Sequence, residues 1–301
     1  MKRLLPFLAW SIWLLVAGSA VLQSNWETAL VVFAAWVLVP EGLHVLRIGI
    51  PRTYWATVLL LSISYAFPAW PEWWRAIAAA PYAGFSTWLA VREMTQLLVV
   101  RKLQLIDFVK VAALAFWSVG ALFGLSFLSG FRPLGFDLVI VSLTAAHFHM
   151  AGFVLSVIVY CMMKAAPGTW TRLTGWAVLL GMPAVATGIV LTLWGYSPVF
   201  EWVAALFFAC FALTVVVWHL LHSGNNAYPI RTRLFWILGS VCLLAGASLA
   251  SLYALRFEWP IAWINIPNMK IWHGTLNTLG FGWLTLTGWR NLNTYNRTNF
   301  P

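Results

Sequence analysis

Apolar runs of about 20 residues follow one another along almost the whole chain, and this repeat most restricts what the chain can fold into. A helix needs roughly 20 mainly apolar residues to cross the hydrocarbon core of a bilayer, and about ten runs reach this length. The segments between the runs are short, and many contain proline or glycine. The predicted spans are residues 4–22, 28–47, 53–71, 75–96, 105–129, 137–163, 173–195, 198–222, 232–254 and 268–289.

Composition agrees with a membrane environment. Of the 301 residues, 62% are hydrophobic and 9% are charged, whereas soluble domains carry about 25% charged residues. The 21 tryptophans fit the aromatic belts that transmembrane proteins place at the level of the headgroups. The sequence therefore predicts an all-α fold, a polytopic transmembrane bundle of about ten helices that forms a single domain over residues 1–301 and contacts membrane lipids.

The distribution of basic residues predicts the orientation of the bundle. If successive spans alternate in direction, most lysines and arginines fall on the side of the N-terminus. The opposite side receives only Arg75, Arg132, Arg256 and Lys270. Lys and Arg are retained on the cytoplasmic side of membrane proteins, so both termini are predicted to be cytoplasmic. The net charge of +10 is spread singly between spans, which favours contacts with anionic lipid and no nucleic-acid site.

Three histidines lie deep within the predicted spans, in their outer halves. His147 and His149 are two residues apart on the sixth run, and His273 lies early on the tenth run, which has the same direction. Asn277 follows His273 by one helical turn and shares its face. Ionisable groups within a membrane are costly and usually mark function or a satisfied interior contact. These four residues are the predicted cofactor-binding set, and the three histidines are candidate metal ligands.

The spacing of the first two histidines separates their faces. Residues i and i+2 of an α-helix point about 200° apart. His149 belongs to a stripe of small residues that includes Ser142, Ala145 and Gly152, which permits close approach of a helix or a flat cofactor. His147 lies on the opposite, more ordinary wall. The pair is therefore expected to serve two neighbouring sites, and a polar interhelical network remains the alternative to a bound cofactor.

A second polar set lies near the cytoplasmic end of the spans. Glu41 and His44 are three residues apart, as are His219 and His222, and Glu93 lies at similar depth. His219 and His222 are candidate metal ligands, and Glu41, His44 and Glu93 are candidate catalytic acids or bases. The alternative is an interfacial network of paired charges.

Two segments resemble the YndJ-like family of bacterial membrane proteins. They are "FWSVGALFGLSFLSGFRPLGFDLVIVSLTAAHFHMAGF" and "WHGTLNTLGF". The family has a similar glycine-containing segment, a His-Phe-His-aromatic-Ala-Gly-Phe run and a late His-Gly and Asn-Gly-Phe helix, although Met150 stands here at the aromatic position. This resemblance implies a multi-pass protein of the bacterial inner (cytoplasmic) membrane and no particular chemistry.

The same histidines also resemble motifs of heme–copper oxidase subunit I and of NO-associated heme membrane proteins. "AAHFHM" is similar to an Ala-His-Phe-His-Tyr run whose histidines bind two hemes, and "WHGTLNTLGF" is similar to the helix that supplies the partner ligand. The resemblance implies that His149 and His273 are axial heme ligands and that His147 binds a second heme. A His-His pair and a His-Pro-Glu-Val-Tyr segment are missing from the sequence, so a copper centre for oxygen reduction is not implied.

Together these features lead to one main functional hypothesis and two alternatives. The main hypothesis is a membrane protein that binds heme, or alternatively copper, iron or zinc, between the sixth and tenth helices. It would perform redox or small-molecule chemistry with an electron donor on the outer face or a lipophilic small molecule. The alternatives are a non-heme metalloenzyme acting on a lipid or isoprenoid, and a proton-coupled transporter. For the transporter, "LLGMPAVATG" with Pro183 is the clearest intramembrane helix break.

Overall fold

A computed structural model describes residues 4–22, 25–99 and 103–299, and this part of the chain is helical without any β-strand. Ten helices agree with the ten predicted runs, which confirms the all-α membrane fold. They are α1 (Leu4–Leu22), α2 (Trp26–Val45), α3 (Arg52–Ala66), α4 (Glu72–Val99), α5 (Leu105–Leu128), α6 (Leu138–Ala165), α7 (Thr169–Leu193), α8 (Val199–Ser223), α9 (Ile230–Ala254) and α10 (266–299).

Length and hydropathy alone identify six of the described helices as able to cross a membrane, namely α2, α5, α6, α7, α8 and α9, the last continued by one 3-10 turn. The chain is thus a multi-pass membrane protein. The most apolar window of α2 is 78% buried, whereas that of α7 is 28% buried. Helix α2 therefore lies at the centre of the bundle, and α7 lies at its periphery with much of its apolar surface open to lipid.

Three of the described helices contain a π-helical segment; those of α2 and α6 are almost completely buried, and that of α10 is partly buried. They are Ala34–Leu38 in α2, Phe148–Val154 in α6 and Leu276–Gly282 in α10. Gly282 lies close to Met150, where a β-carbon would meet the methionine methyl group. In α2, the hydroxyl of Tyr54 from α3 donates a hydrogen bond to the carbonyl of Ala35. Such segments occur frequently at functional sites, and two of these three contain the histidine motifs or their continuation.

The expected helix break at Pro183 is not present. Helix α7 runs continuously from Thr169 to Leu193 with Pro183 inside it, and α2 likewise continues through Pro40. Helices in membranes tolerate proline because neighbouring groups and small local adjustments satisfy the freed backbone carbonyl. The prolines of these two helices therefore do not divide them into half-helices.

Candidate functional site

The imidazole rings of His147 on α6 and His273 on α10 lie next to each other. Their ring centroids are 6.0 Å apart and their planes are inclined by 31°. His147 is exposed at the surface of the protein, and His273 is half-buried. Both lie toward the end of the bundle where α2, α6 and α10 begin, which we call the outer end. The two helices whose motifs drew attention in the sequence therefore bring one histidine each to a common point.

Both imidazoles are oriented through Nδ1. This atom lies 2.8 Å from the carbonyl oxygen of Leu143 in His147 and 2.9 Å from that of Gly246, on α9, in His273. A carbonyl only accepts, so each Nδ1 carries the proton and donates, and each Nε2 keeps its lone pair. A backbone carbonyl on the second nitrogen is the usual arrangement around metal-binding histidines. Nε2 of His147 is therefore available as a ligand, whereas Nε2 of His273 becomes available only when the Asn277 amide, 3.3 Å away, turns aside.

Asn277 and Gly246 complete the environment of His273. The Asn277 amide donates to the carbonyl of His273 at 2.9 Å and also lies 3.1 Å from its Nδ1 and 3.3 Å from its Nε2. At Gly246 a β-carbon would lie 2.7 Å from the Asn277 amide. Only glycine lets α9 approach closely enough for its carbonyl to reach His273.

A buried ion pair lies one turn outward of this histidine pair. Lys270 of α10 places its Nζ 2.9 Å from the carboxylate of Glu27 on α2. The other oxygen of Glu27 accepts a hydrogen bond of 2.9 Å from Ser142 on α6. Both charged side chains are almost completely buried. These contacts join the outer ends of α2, α6 and α10, and they neutralise the charge of Glu27 within the site.

His149 has a different environment from His147. It is completely buried, and its Nδ1 donates to the carbonyl of Ala145 at 2.8 Å. Its Nε2 accepts from the hydroxyl of Tyr82 on α4 at 3.1 Å. The same Tyr82 oxygen accepts a hydrogen bond of 2.8 Å from the indole of Trp117 on α5. Both nitrogens are therefore bonded within the protein, and His149 has no lone pair left for a metal.

The partner of His273 thus differs from the one implied by the oxidase resemblance. That resemblance pairs His149 with His273, but the structure places His147 beside His273 and His149 against α4 and α5. Gly120 of α5 supplies the small neighbour of His149, because a β-carbon there would lie 2.7 Å from Nδ1. The stripe of small residues predicted around His149 therefore serves helix packing.

Glu41 and Glu93, the two glutamates of the second polar set, are held in separate contacts. Glu41 forms an ion pair with Arg290 of α10. Glu93 lies 2.7 Å from both Arg92 and Lys110. These contacts are of the kind expected for an interfacial network of paired charges.

The two inner histidines do not share a site either. His219 accepts a hydrogen bond of 3.2 Å from the indole of Trp289, and His222 stacks on Trp218 at 3.8 Å between centroids. His44 lies exposed near the end of α2. Within residues 25–99 and 103–299, no three His, Cys, Asp or Glu side chains gather where they could hold a metal ion. The His147–His273 pair is therefore limited to two ligands of these types.

Sequence reasoning missed several partners that define the site. Tyr82 and Trp117 were part of apolar spans with aromatic content, and nothing in their spacing marks a hydrogen bond to His149. The Gly246 carbonyl is a backbone group without any sequence signal. Glu27 and Lys270 did have a sequence signal, because a charged residue at the end of an apolar run is available for pairing. Their separation in the sequence hides which residue pairs with which.

Comparison with known proteins gives one match. No curated protein and no solved structure matches the chain. The family model described as YndJ-like protein matches residues 29–281. This range includes both histidine motifs and the helices that pack against them. Because the match covers most of the chain, the protein belongs to the YndJ-like family.

Proposed function

We propose that this protein is a membrane metalloprotein that holds one transition-metal ion between His147 and His273. The observation that carries the proposal is the pairing of two imidazoles, each oriented through Nδ1 by a backbone carbonyl. Two imidazoles that share an ion through metal–nitrogen bonds of about 2.0 Å have ring centroids roughly 5 to 6.5 Å apart. The observed separation of 6.0 Å lies within this range.

The charge around the pair favours copper(I) over zinc or iron. The two imidazoles contribute no negative charge, and the nearby carboxylate of Glu27 is already paired with Lys270. An uncompensated divalent ion is costly in surroundings of low dielectric constant. Copper(I) carries a single charge, and imidazole is a suitable ligand for copper. Redox chemistry or the binding of a small molecule is the natural use of such an ion.

Heme does not fit these residues as they are arranged. A bis-histidine heme needs a flat slot between the two imidazole rings. Leu30 of α2 packs beside Gly274, where a β-carbon would meet it at 2.6 Å. His149, the other implied ligand, has both nitrogens bonded within the protein.

The two alternative functions receive less support from the contacts. A metalloenzyme acting on a lipid or isoprenoid needs a general acid or base near the metal, but Glu41 and Glu93 are both paired with cations. Glu41 also lies about 20 Å farther along α2 than Glu27, at 1.5 Å per residue. The transporter hypothesis drew on a break at Pro183, and α7 is continuous there.

The proposal includes an orientation and a class of partner. With both termini in the cytoplasm of a bacterium and the bundle in the inner membrane, as the basic residues predict, the histidine pair lies in the outer half of the bilayer. His147 is exposed at the protein surface. An electron donor on the outer face or a lipophilic small molecule in the bilayer would reach the ion from this side.

The test is metal analysis of the protein purified in an uncharged detergent, with copper(I) titration and absorption spectra before and after dithionite. His147→Ala and His273→Ala should each lose the stoichiometric copper of the wild-type protein. His222→Ala is the matched control, because its Nδ1 also bonds to a backbone carbonyl at 2.8 Å, but it stacks on Trp218. If the wild-type protein shows a Soret band that His147→Ala and His273→Ala lose, the bound group is heme and not copper. If the wild-type protein holds no stoichiometric metal, the proposal is refuted.

A further inference from the structure

A second polar site lies at the outer end of the bundle, among α1 to α5. It is a small cavity of about 60 Å³, whereas about 10 to 15 Å³ is enough for one water molecule. The ends of five helices surround it, and its polar lining includes Asn25, Thr28, Ser64, Tyr65 and Arg75. The cavity is thus large enough for a small polar group of four or five heavy atoms.

The cavity has donors without acceptors. The Nε atom of Arg75 is buried and has no hydrogen-bond partner. Arg75 also forms no ion pair with any described residue, whereas Arg132, Arg256 and Lys270, the other basic residues predicted to be outside, each pair with a carboxylate. A buried donor without a partner is costly, so the position of Arg75 calls for an acceptor that the described residues do not provide.

Two neighbouring side chains also have uncommitted donors. Tyr65 is 7% exposed and stacks on Phe127, but no described residue accepts a hydrogen bond from its hydroxyl. Asn25 occupies the N-cap position of α2, yet its side chain makes no capping bond. N-cap asparagines normally accept a hydrogen bond from the first turn. The Asn25 side chain thus lines the cavity without a capping bond.

The acidic residues near the cavity do not line it. Glu72 precedes Arg75 by one turn, but its carboxylate lies against Gly130, which has a φ of +69° and where a β-carbon would meet it at 2.6 Å. Glu27 is paired with Lys270. No carboxylate lines the cavity, so its charge is positive.

We infer that this cavity binds an oxyanion, a phosphate or carboxylate group, through the Arg75 guanidinium with Tyr65 and Asn25 as further donors. Arginine forms charge-assisted hydrogen bonds with such groups. The oxyanion comes either from a free small molecule or from the headgroup phosphate of an anionic lipid, because the cavity lies where the helices reach the headgroups. This site is independent of the metal proposed at His147 and His273.

The test uses the full-length protein in an uncharged maltoside detergent. Inorganic phosphate is titrated at constant ionic strength. In parallel, the protein is incubated with phosphatidylglycerol or phosphatidylcholine, and retained lipid is measured by native mass spectrometry. Arg75→Gln should weaken the binding of phosphate or of phosphatidylglycerol at least tenfold, and Tyr65→Phe about threefold. Phosphate binding identifies a free oxyanion as the ligand, and retention of phosphatidylglycerol alone identifies a lipid.

Arg132→Gln is the matched control, because Arg132 is on the same predicted side but pairs with Asp137 and is exposed. It should bind like the wild-type protein. The inference is overturned if wild-type protein binds neither probe, or if Arg132→Gln loses as much binding as Arg75→Gln. Thermal unfolding of each variant checks the fold, and Tyr65→Phe, which keeps the aromatic ring, decides the matter if Arg75→Gln does not fold.

Discussion

Two histidines of α6, two residues apart, show how different the two sides of one membrane helix are. His149 is completely buried and donates and accepts within a chain of bonds that reaches Tyr82 and Trp117. His147 is exposed, bonds only through Nδ1 and faces the imidazole of His273. Both have the same local bond to the carbonyl four residues earlier. The Nε2 atom distinguishes them. In His149 it joins α6 to α4 through Tyr82, and in His147 it is available to a ligand.

The largest expected effect separates the two histidines by metal affinity. His273→Ala should lower copper(I) affinity by at least about 100-fold, because one of two ligands is lost and the usual loss for second-sphere changes is already 10- to 100-fold. The losses of His147→Ala and His273→Ala should not add in the double variant, because both side chains bind one shared ion. His149→Ala should remain within about threefold of wild type in the same competition titration. If His149→Ala lost as much copper(I) affinity as the other two variants, the distinction between His147 and His149 would not hold.

The second prediction concerns folding stability, for which His149 should matter more than His147. His149→Ala removes a buried ring and leaves the Tyr82 hydroxyl and the Ala145 carbonyl without their partner. We expect the free energy of unfolding to fall by about 2 to 4 kcal/mol. His147→Ala, at an exposed position, should cost less than about 1 kcal/mol. Denaturant unfolding in detergent measures both, and a larger loss for His147→Ala would contradict this assignment.

A third prediction concerns the backbone that orients His273. Gly246→Ala introduces a β-carbon 2.7 Å from the Asn277 amide, so either the Asn277 side chain or α9 must shift, and either shift disturbs the contacts that orient His273. Copper affinity should fall about tenfold, as for other changes that disturb ligand orientation. Gly84→Ala is the control, since nothing lies within 4 Å of its β-carbon. If both variants bind copper as the wild type does, the carbonyl does not orient the ligand.

The smallest expected effect lies at the far end of the His149 network. Trp117→Phe keeps an aromatic ring but removes the indole donor to Tyr82. Stability should fall by about 1 kcal/mol for the lost bond, with a further contribution from the smaller ring, and metal affinity should not change. A loss of copper in this variant would mean that the two histidine environments are coupled across α6.

Much of the fold follows from local properties of the sequence. Each of the ten apolar runs contains a helix, because hydropathy and helical length act within about 20 residues. The observed helix ends differ from the predicted ones where prolines follow the helix. The third run was predicted to extend to residue 71, but α3 ends at Ala66, and Pro68 and Pro71 follow it in the turn to α4. The π-helical segments had no signal in the pattern, because they depend on contacts with neighbouring helices.

For the candidate site, the sequence by itself determined the helix and approximate depth of each histidine and the opposite faces of His147 and His149. Those properties follow from the geometry of single helices. Only the tertiary structure decided which imidazole meets His273, which nitrogen keeps its lone pair, and that Glu27 neutralises Lys270. The reason is that the His147–His273 and Glu27–Lys270 contacts join residues more than 100 positions apart. The bond of His273 reaches 27 positions along the chain to the carbonyl of a glycine, whose role is the absence of a side chain.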